Sequence, residues 1–132
     1  MIAYLASLDM CAFVSDYDYN APDAQHLRNT HYKLYEAIRA AHPDIPYIMI
    51  SKPDFKGDEY GDQDSARRAV IMDSYLKALE AGDQQVYFID GASFFAGPHA
   101  DSCTVDGAHP NDLGFYSMAE AVTEVLKAIL KL

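Results

Sequence analysis

The sequence predicts an α/β chain of the three-layer class, a parallel sheet with helices on both faces. Three short apolar runs read as strands, and the segments between them carry apolar residues at helical spacing. The runs are near-continuous rather than alternating, as strands covered on both faces require, and the strand-then-helix order repeats along the chain. With 132 residues, 50% of them hydrophobic and 23% charged, the chain is long enough for one globular domain over residues 1–132. No internal repeat, low-complexity tract or linker divides it.

The first run, Met10-Cys11-Ala12-Phe13-Val14-Ser15, ends before the turn signal Asn20-Ala21-Pro22-Asp23. Asp23 then opens an amphipathic segment in which Leu27, Leu34, Tyr35 and Ile38 recur on one face, and it stops before Pro43. Pro46 precedes the second run, Tyr47 to Ser51, closed by Lys52-Pro53. Phe55 to Asp64 is polar and Gly-bearing and reads as a loop. Ala66 to Ala81 is the second helix, with Val70, Ile71, Tyr75 and Leu79 inward and Gly82 suited to its C-terminal cap. Val86 to Ile89 is the third strand, and Asp90-Gly91 turns the chain. A long loop through Gly97-Pro98 and Gly107 leads to a last helix from Asn111 or Asp112 to Ile129. Its expected buried side is Leu113, Tyr116, Met118, Ala119, Val122, Val125, Leu126 and Ile129. Right-handed crossovers gather Asp16 to Asn20, Ser51 to Asp54 and Asp90 onward at one sheet edge, where ligand and catalytic groups collect in such folds.

Charge excludes several classes of function. Twenty acidic against ten basic residues give a net charge of -10, and no basic run exists. Nucleic acid and anionic membrane surfaces are therefore disfavoured as partners. No apolar stretch approaches the roughly 18 residues of a spanning helix. Met1 to Asp9 lacks the basic region and cleavage site of a signal peptide. Two cysteines make no disulfide framework, and Cys11, inside an apolar run, reads as a buried free thiol. A reducing, cytoplasmic setting and no cofactor are expected.

The strongest chemical signal is Asp106-Gly107-Ala108-His109-Pro110-Asn111-Asp112. An Asp three residues before a His, on a Gly-containing loop at a helix start, can fold back to hold one imidazole nitrogen and leave the other as a general base. The competing reading makes Asp106 and Asn111 turn residues and His109 a surface imidazole. The second signal is Asn20, whose amide at a strand's carboxyl end suits a developing oxyanion, against a plain turn-forming role before Ala-Pro. Asp16 and Asp18 lack a third ligand for a hard cation and fit a solvated or capping role. Three rivals complete the set. Cys103, six residues before His109, would form a Cys-His-Asp arrangement, although no cationic neighbour marks it as activated. His99, Asp101, Asp106 and His109 have ligand chemistry for zinc or manganese but not the helical spacing of known motifs, and no metal is expected. Lys52-Pro53 with Asp16 is similar to phosphoryl-receiver domains, without their earlier acidic pair or intervening strand.

The run Cys103 to Phe115 resembles the final block of the SGNH/GDSL hydrolases, whose Asp-x-x-His supplies two members of a Ser-His-Asp triad. Asn20 falls where that family places its oxyanion Asn, and Asp90-Gly91 resembles its last strand and turn. The likeness covers Met10 to the C-terminus. It implies a flavodoxin-like α/β/α sheet, catalytic Asp106 and His109, oxyanion donor Asn20, and hydrolysis of a small ester such as an acylated carbohydrate or a short acyl ester. Two departures accompany it. Asp18 stands where the family has Gly, and the nucleophile's Gly-Asp-Ser block is not found. Gly57-Asp58, Gly61-Asp62 and Gly82-Asp83 are followed by Glu59, Gln63 and Gln84. Gly91-Ala92-Ser93 does not complete a Gly-x-Ser-x-Gly elbow either. Ser51, Ser93 and Ser102 lie near the catalytic edge without flanks that mark an activated hydroxyl. The resemblance thus implies a sheet truncated to about three strands, where about five is usual, and little activity from the chain alone. The alternative is a non-catalytic module that associates through an exposed sheet edge, as a homodimer or with a complementing N-terminal chain.

Overall fold

A computed structural model describes residues 1–53 and 63–132. The element order is α1 (Ile2–Ala6), β1 (Phe13–Ser15), α2 (Ala24–Ala41), β2 (Tyr47–Ile50), α3 (Asp64–Glu80), β3 (Val86–Ile89) and α4 (Asp112–Leu130). The three strands form one parallel sheet in the order β1-β2-β3, with Phe13 opposite Tyr47 and Tyr47 opposite Val86. This is the expected α/β architecture.

The central strand shows why its run is continuous. All four residues of β2 are buried, and alternate side chains enter different cores. Tyr47 and Met49 join Leu27, Tyr35, Ile38, Val70, Ile71 and Ala78 from α2 and α3. Ile48 and Ile50 join Ile89, Phe94, Phe95 and Cys103, covered by Met118, Val122, Val125, Leu126 and Ile129 of α4. Helices α2 and α3 therefore lie on one face and α4 on the other. The α2 entrance follows its cap signal, with Asp23 Oδ1 accepting from His26 N at 2.7 Å. Gly82, just past α3, takes φ +91° and lets its amide bond back to Leu79 O.

Several expectations need correction. The first strand spans Phe13–Ser15 rather than Met10 to Ser15, because only those residues find partners on β2. Cys11 is exposed, and Cys103 is the buried thiol. Helix α1 has no counterpart in the sequence reading, since five residues are too few to show a period; it packs Leu5 and Ala6 onto the α2 side. Asp64 opens α3 instead of closing a loop. Residues 55–62 of the expected 55–64 loop lie outside the described residues, with Gly57-Asp58 and Gly61-Asp62 among them, as does Asp54 of the expected edge. On α4, Leu113, Tyr116 and Ala119 are exposed rather than buried, and on α3 so is Leu79. The inward stripe runs back from Met118 through Gly114, one turn earlier, and leaves residues 113 and 116 off its line. Among the described residues no helix is long and apolar enough to cross a membrane.

Candidate functional site

Parallel strands deliver their following loops to a common edge, and side chains lace these loops together. After β1, Asp18 turns inward and its Oδ2 accepts from Lys52 N, just past β2, at 2.7 Å. Ser51 Oγ donates to Asp90 Oδ1 at 3.3 Å and accepts from Gly91 N at 2.9 Å. Gly91 is required at this crossing, because a Cβ there would stand 2.0 Å from Ser51 O and 2.2 Å from Lys52 O. The expected meeting of residues 16–20, 51 onward and 90 onward is thus present.

The loop from Cys103 to Asn111 is folded on itself before it enters α4. Thr104 and Pro110 form an antiparallel bridge, Val105 N donates to His109 O at 2.9 Å and Asn111 N to Cys103 O at 3.0 Å. Asn111 caps α4 by accepting from Gly114 N at 3.1 Å, while its amide donates to Ser102 O at 2.7 Å. Inside this frame Asp106 Oδ1 accepts from His109 N at 2.8 Å and Ala108 N at 3.0 Å. Its Oδ2 meets His109 Nδ1 at 2.7 Å. The His109 amide, then its imidazole, then the Ala108 amide hold the Asp106 carboxyl down at about 2. The carboxylate is ionised at neutral pH and opposite Nδ1, which favours the tautomer with the proton on Nδ1 and the lone pair on Nε2. The His109 side chain is 72% exposed, and Nε2 has no protein partner among the described residues. Such an imidazole can accept a proton from a hydroxyl brought to it.

Asn20 ends a short 3-10 turn, Asp18–Asn20, beyond β1. It is exposed, and no hydrogen bond joins it to Asp106 or His109. Asp18 is not the solvated acid expected. It is wholly buried, and burial pushes its carboxyl up against the opposing pull of the Lys52 amide and the Arg67 guanidinium. Asp90, in contrast, is held below the usual carboxylate range, chiefly by the Arg68 guanidinium that pairs with it.

The rival nucleophiles are placed in supporting roles. Ser51 is buried and engaged with Asp90 and Gly91. Ser93 Oγ donates to Asp90 O at 2.7 Å. Ser102 is exposed, and its carbonyl receives Asn111. The Cys103 thiol is buried and directed at His99 O, 3.3 Å away, rather than at His109. Among the described residues no group of three or more His, Cys, Asp or Glu is placed to hold a metal ion.

Sequence reasoning missed the buried charges around Asp18. Lys52 Nζ donates to both Asp64 carboxylate oxygens at 3.1 Å, and Arg67 reaches the Asp18 turn. The signal was available, since Asp64, Arg67, Val70, Ile71, Ser74 and Ala78 share the buried stripe of α3. Ionisable residues on an apolar stripe need partners.

A Bacteroides ovatus protein assigned as a GDSL-like lipase has a solved structure that superimposes with a TM-score of 0.83 at 27% identity, covering 98% of this chain and 39% of that one. A salicylyl-acyltransferase of a tetracycline biosynthetic pathway superimposes with a TM-score of 0.74 at 15% identity, over 97% of this chain and 40% of that one, and shares the fold. The chain thus spans about two-fifths of the length of these solved relatives. No curated protein sequence matches it. The model of the GDSL-like lipase/acylhydrolase family matches residues 1–127, and the chain belongs to that family.

Proposed function

We propose that this chain carries the base and oxyanion side of an ester-hydrolysing site, with the attacking serine on a Gly-Asp-Ser segment outside these 132 residues. The observation that carries the reading is the 2.7 Å contact between Asp106 Oδ2 and His109 Nδ1 in a cross-bonded loop, with Nε2 open to solvent. His109 Nε2 takes the proton as the serine oxygen attacks the ester carbonyl, and the carbonyl π electrons move to oxygen. The Asn20 amide donates to that oxyanion. As the oxyanion collapses, His109 passes the proton to the departing alcohol; a water, activated by the same nitrogen, then releases the acid and frees the serine. Asp106 stays ionised and orients the ring. The substrate is a small ester, either a short acyl ester or an acylated carbohydrate, in keeping with the family.

Where the serine segment would join is suggested by the sheet. Among the described residues strand β1 pairs only with β2 and offers its other edge, and Val14 is 37% exposed on the face that α4 covers over β2 and β3. Uncovered edges of this kind accept another strand. The same edge favours a second reading, a non-catalytic module that pairs through β1 with a second copy or another chain.

The test mixes the chain with a polypeptide bearing the family's N-terminal strands and Gly-Asp-Ser block and follows hydrolysis of p-nitrophenyl acetate. Association with turnover that falls at least about 10³-fold in His109→Ala is expected. Association with equal rates for wild type and His109→Ala overturns the catalytic reading in favour of the module.

A further inference from the structure

The acyl-transfer reading places Asn20 at the oxyanion but leaves open what aims it. The Asn20 side chain makes no hydrogen bond among the described residues, so its direction is set by the backbone of the Asp18–Asn20 turn. A single three-residue 3-10 turn has poor hydrogen-bond geometry, here one closing bond from Ala21 N to Asp18 O at 3.2 Å. Side-chain bonds from α3 add to it. Arg67 Nη1 donates to Asp18 O at 2.9 Å and Nη2 donates to Ala21 O at 3.0 Å. Those two carbonyls bracket Tyr19 and Asn20. Arg67 is 6% exposed, and its Nη1 lies 3.8 Å from the buried Asp18 Oδ1. One residue before α3, Gln63 Oε1 accepts from Ala24 N at 3.1 Å, at the first residue of α2. The start of α3 therefore grips both ends of residues 18–24.

We propose that Arg67 is the positioning residue for Asn20: its planar fork, spanning the Asp18 and Ala21 carbonyls, fixes the turn from which the Asn20 amide projects. A guanidinium suits this task because its two Nη groups sit at a fixed separation, whereas a lysine ammonium is a point donor on a flexible stem. The catalytic consequence rests on Asn20 as oxyanion donor; the ordering of the turn does not.

The ordering is tested on the whole chain by ¹⁵N relaxation. In the wild type, order parameters of about 0.85 are expected at the Tyr19 and Asn20 amides. In Arg67→Lys they fall below about 0.6 at 18–21 while Ile48 and Ile71 stay rigid. Unchanged order at Asn20, or a loss spread evenly over α3 and β2, overturns the proposal. A substitution-free measurement guards against a variant that fails to fold. The wild-type Arg67 guanidinium should show distinct, slowly rotating Nη groups, and a freely averaging one overturns the assignment. In the complemented esterase, Arg67→Lys should lower kcat about tenfold with KM within twofold, less than the 10²–10³-fold expected on deleting a donor in Asn20→Ala. Unchanged kcat in Arg67→Lys alone overturns the catalytic consequence. Unchanged kcat in Asn20→Ala overturns the oxyanion reading itself, while the relaxation result stands on its own.

Discussion

Lowering the pH should destabilise this chain through His31. That side chain sits on the inner face of α2, wholly buried, its ring parallel to Tyr17 with centroids 6.5 Å apart. Neither ring nitrogen has a hydrogen-bond partner among the described residues. Burial alone lowers its pKa from 6.5 to about 4, so the folded chain holds the imidazole neutral where the unfolded chain would protonate it. Between these values the unfolded state binds more protons, and stability must fall as pH falls. The loss is negligible at pH 7, about 2 kcal/mol at pH 5 and about 3 kcal/mol at pH 4. Urea unfolding of wild type and His31→Leu at pH 7 and pH 5 checks this. The substitution's packing cost is the same at both pH values and cancels in the difference, leaving a wild-type curve steeper by about 2 kcal/mol. Equal pH dependence in the two proteins, or an imidazole seen by NMR to titrate near 6.5, would show that burial does not hold His31 neutral.

The other predictions concern the frame of the site. Gly91→Ala should cost at least about 2 kcal/mol in urea unfolding, because the Ser51 and Lys52 carbonyls occupy the space a methyl needs; a loss under about 0.5 kcal/mol would contradict the close crossing. Asp23→Ala should cost about 1 kcal/mol by the same measurement, through loss of the cap on His26 N. With its folded pKa depressed to about 2, Asp106 contributes its hold on the loop above pH 4 and loses it as pH falls through 2. Amide exchange at Ala108 and His109, compared at pH 5 between wild type and Asp106→Ala, should be faster in the variant while β2 amides are unchanged. Asn111→Ala removes the bonds to Gly114 N and Ser102 O and should loosen the same two amides at a cost of about 1 kcal/mol to global stability.

The strand-helix order, the second and third strands and the long helices were legible because each rests on local pattern. An apolar run such as Tyr47-Ile48-Met49-Ile50 announces burial on both faces, and Asp23 before an amphipathic stretch announces a helix start. Helix α1 was not legible, since it is held by contact with α2 rather than by period. The exposed sides of Leu113 and Tyr116 depend on the register of α4 against β2 and β3, which residue type does not reveal. At the site, the Asp106–His109 contact follows from three-residue spacing and a Gly at φ +86°, both local.

From the residues alone came the α/β class and the acidic net charge, with the pairing of Asp106 and His109 as one of two local readings, because period, charge and short-range spacing are properties of neighbouring residues. Tertiary structure alone decided that Asp18 is buried against Lys52 and Arg67, that Ser51 is engaged with Asp90 and Gly91, and that α3 grips the turn bearing Asn20. Those contacts join residues dozens of positions apart, and their partners are fixed only when the sheet brings three loops to one edge.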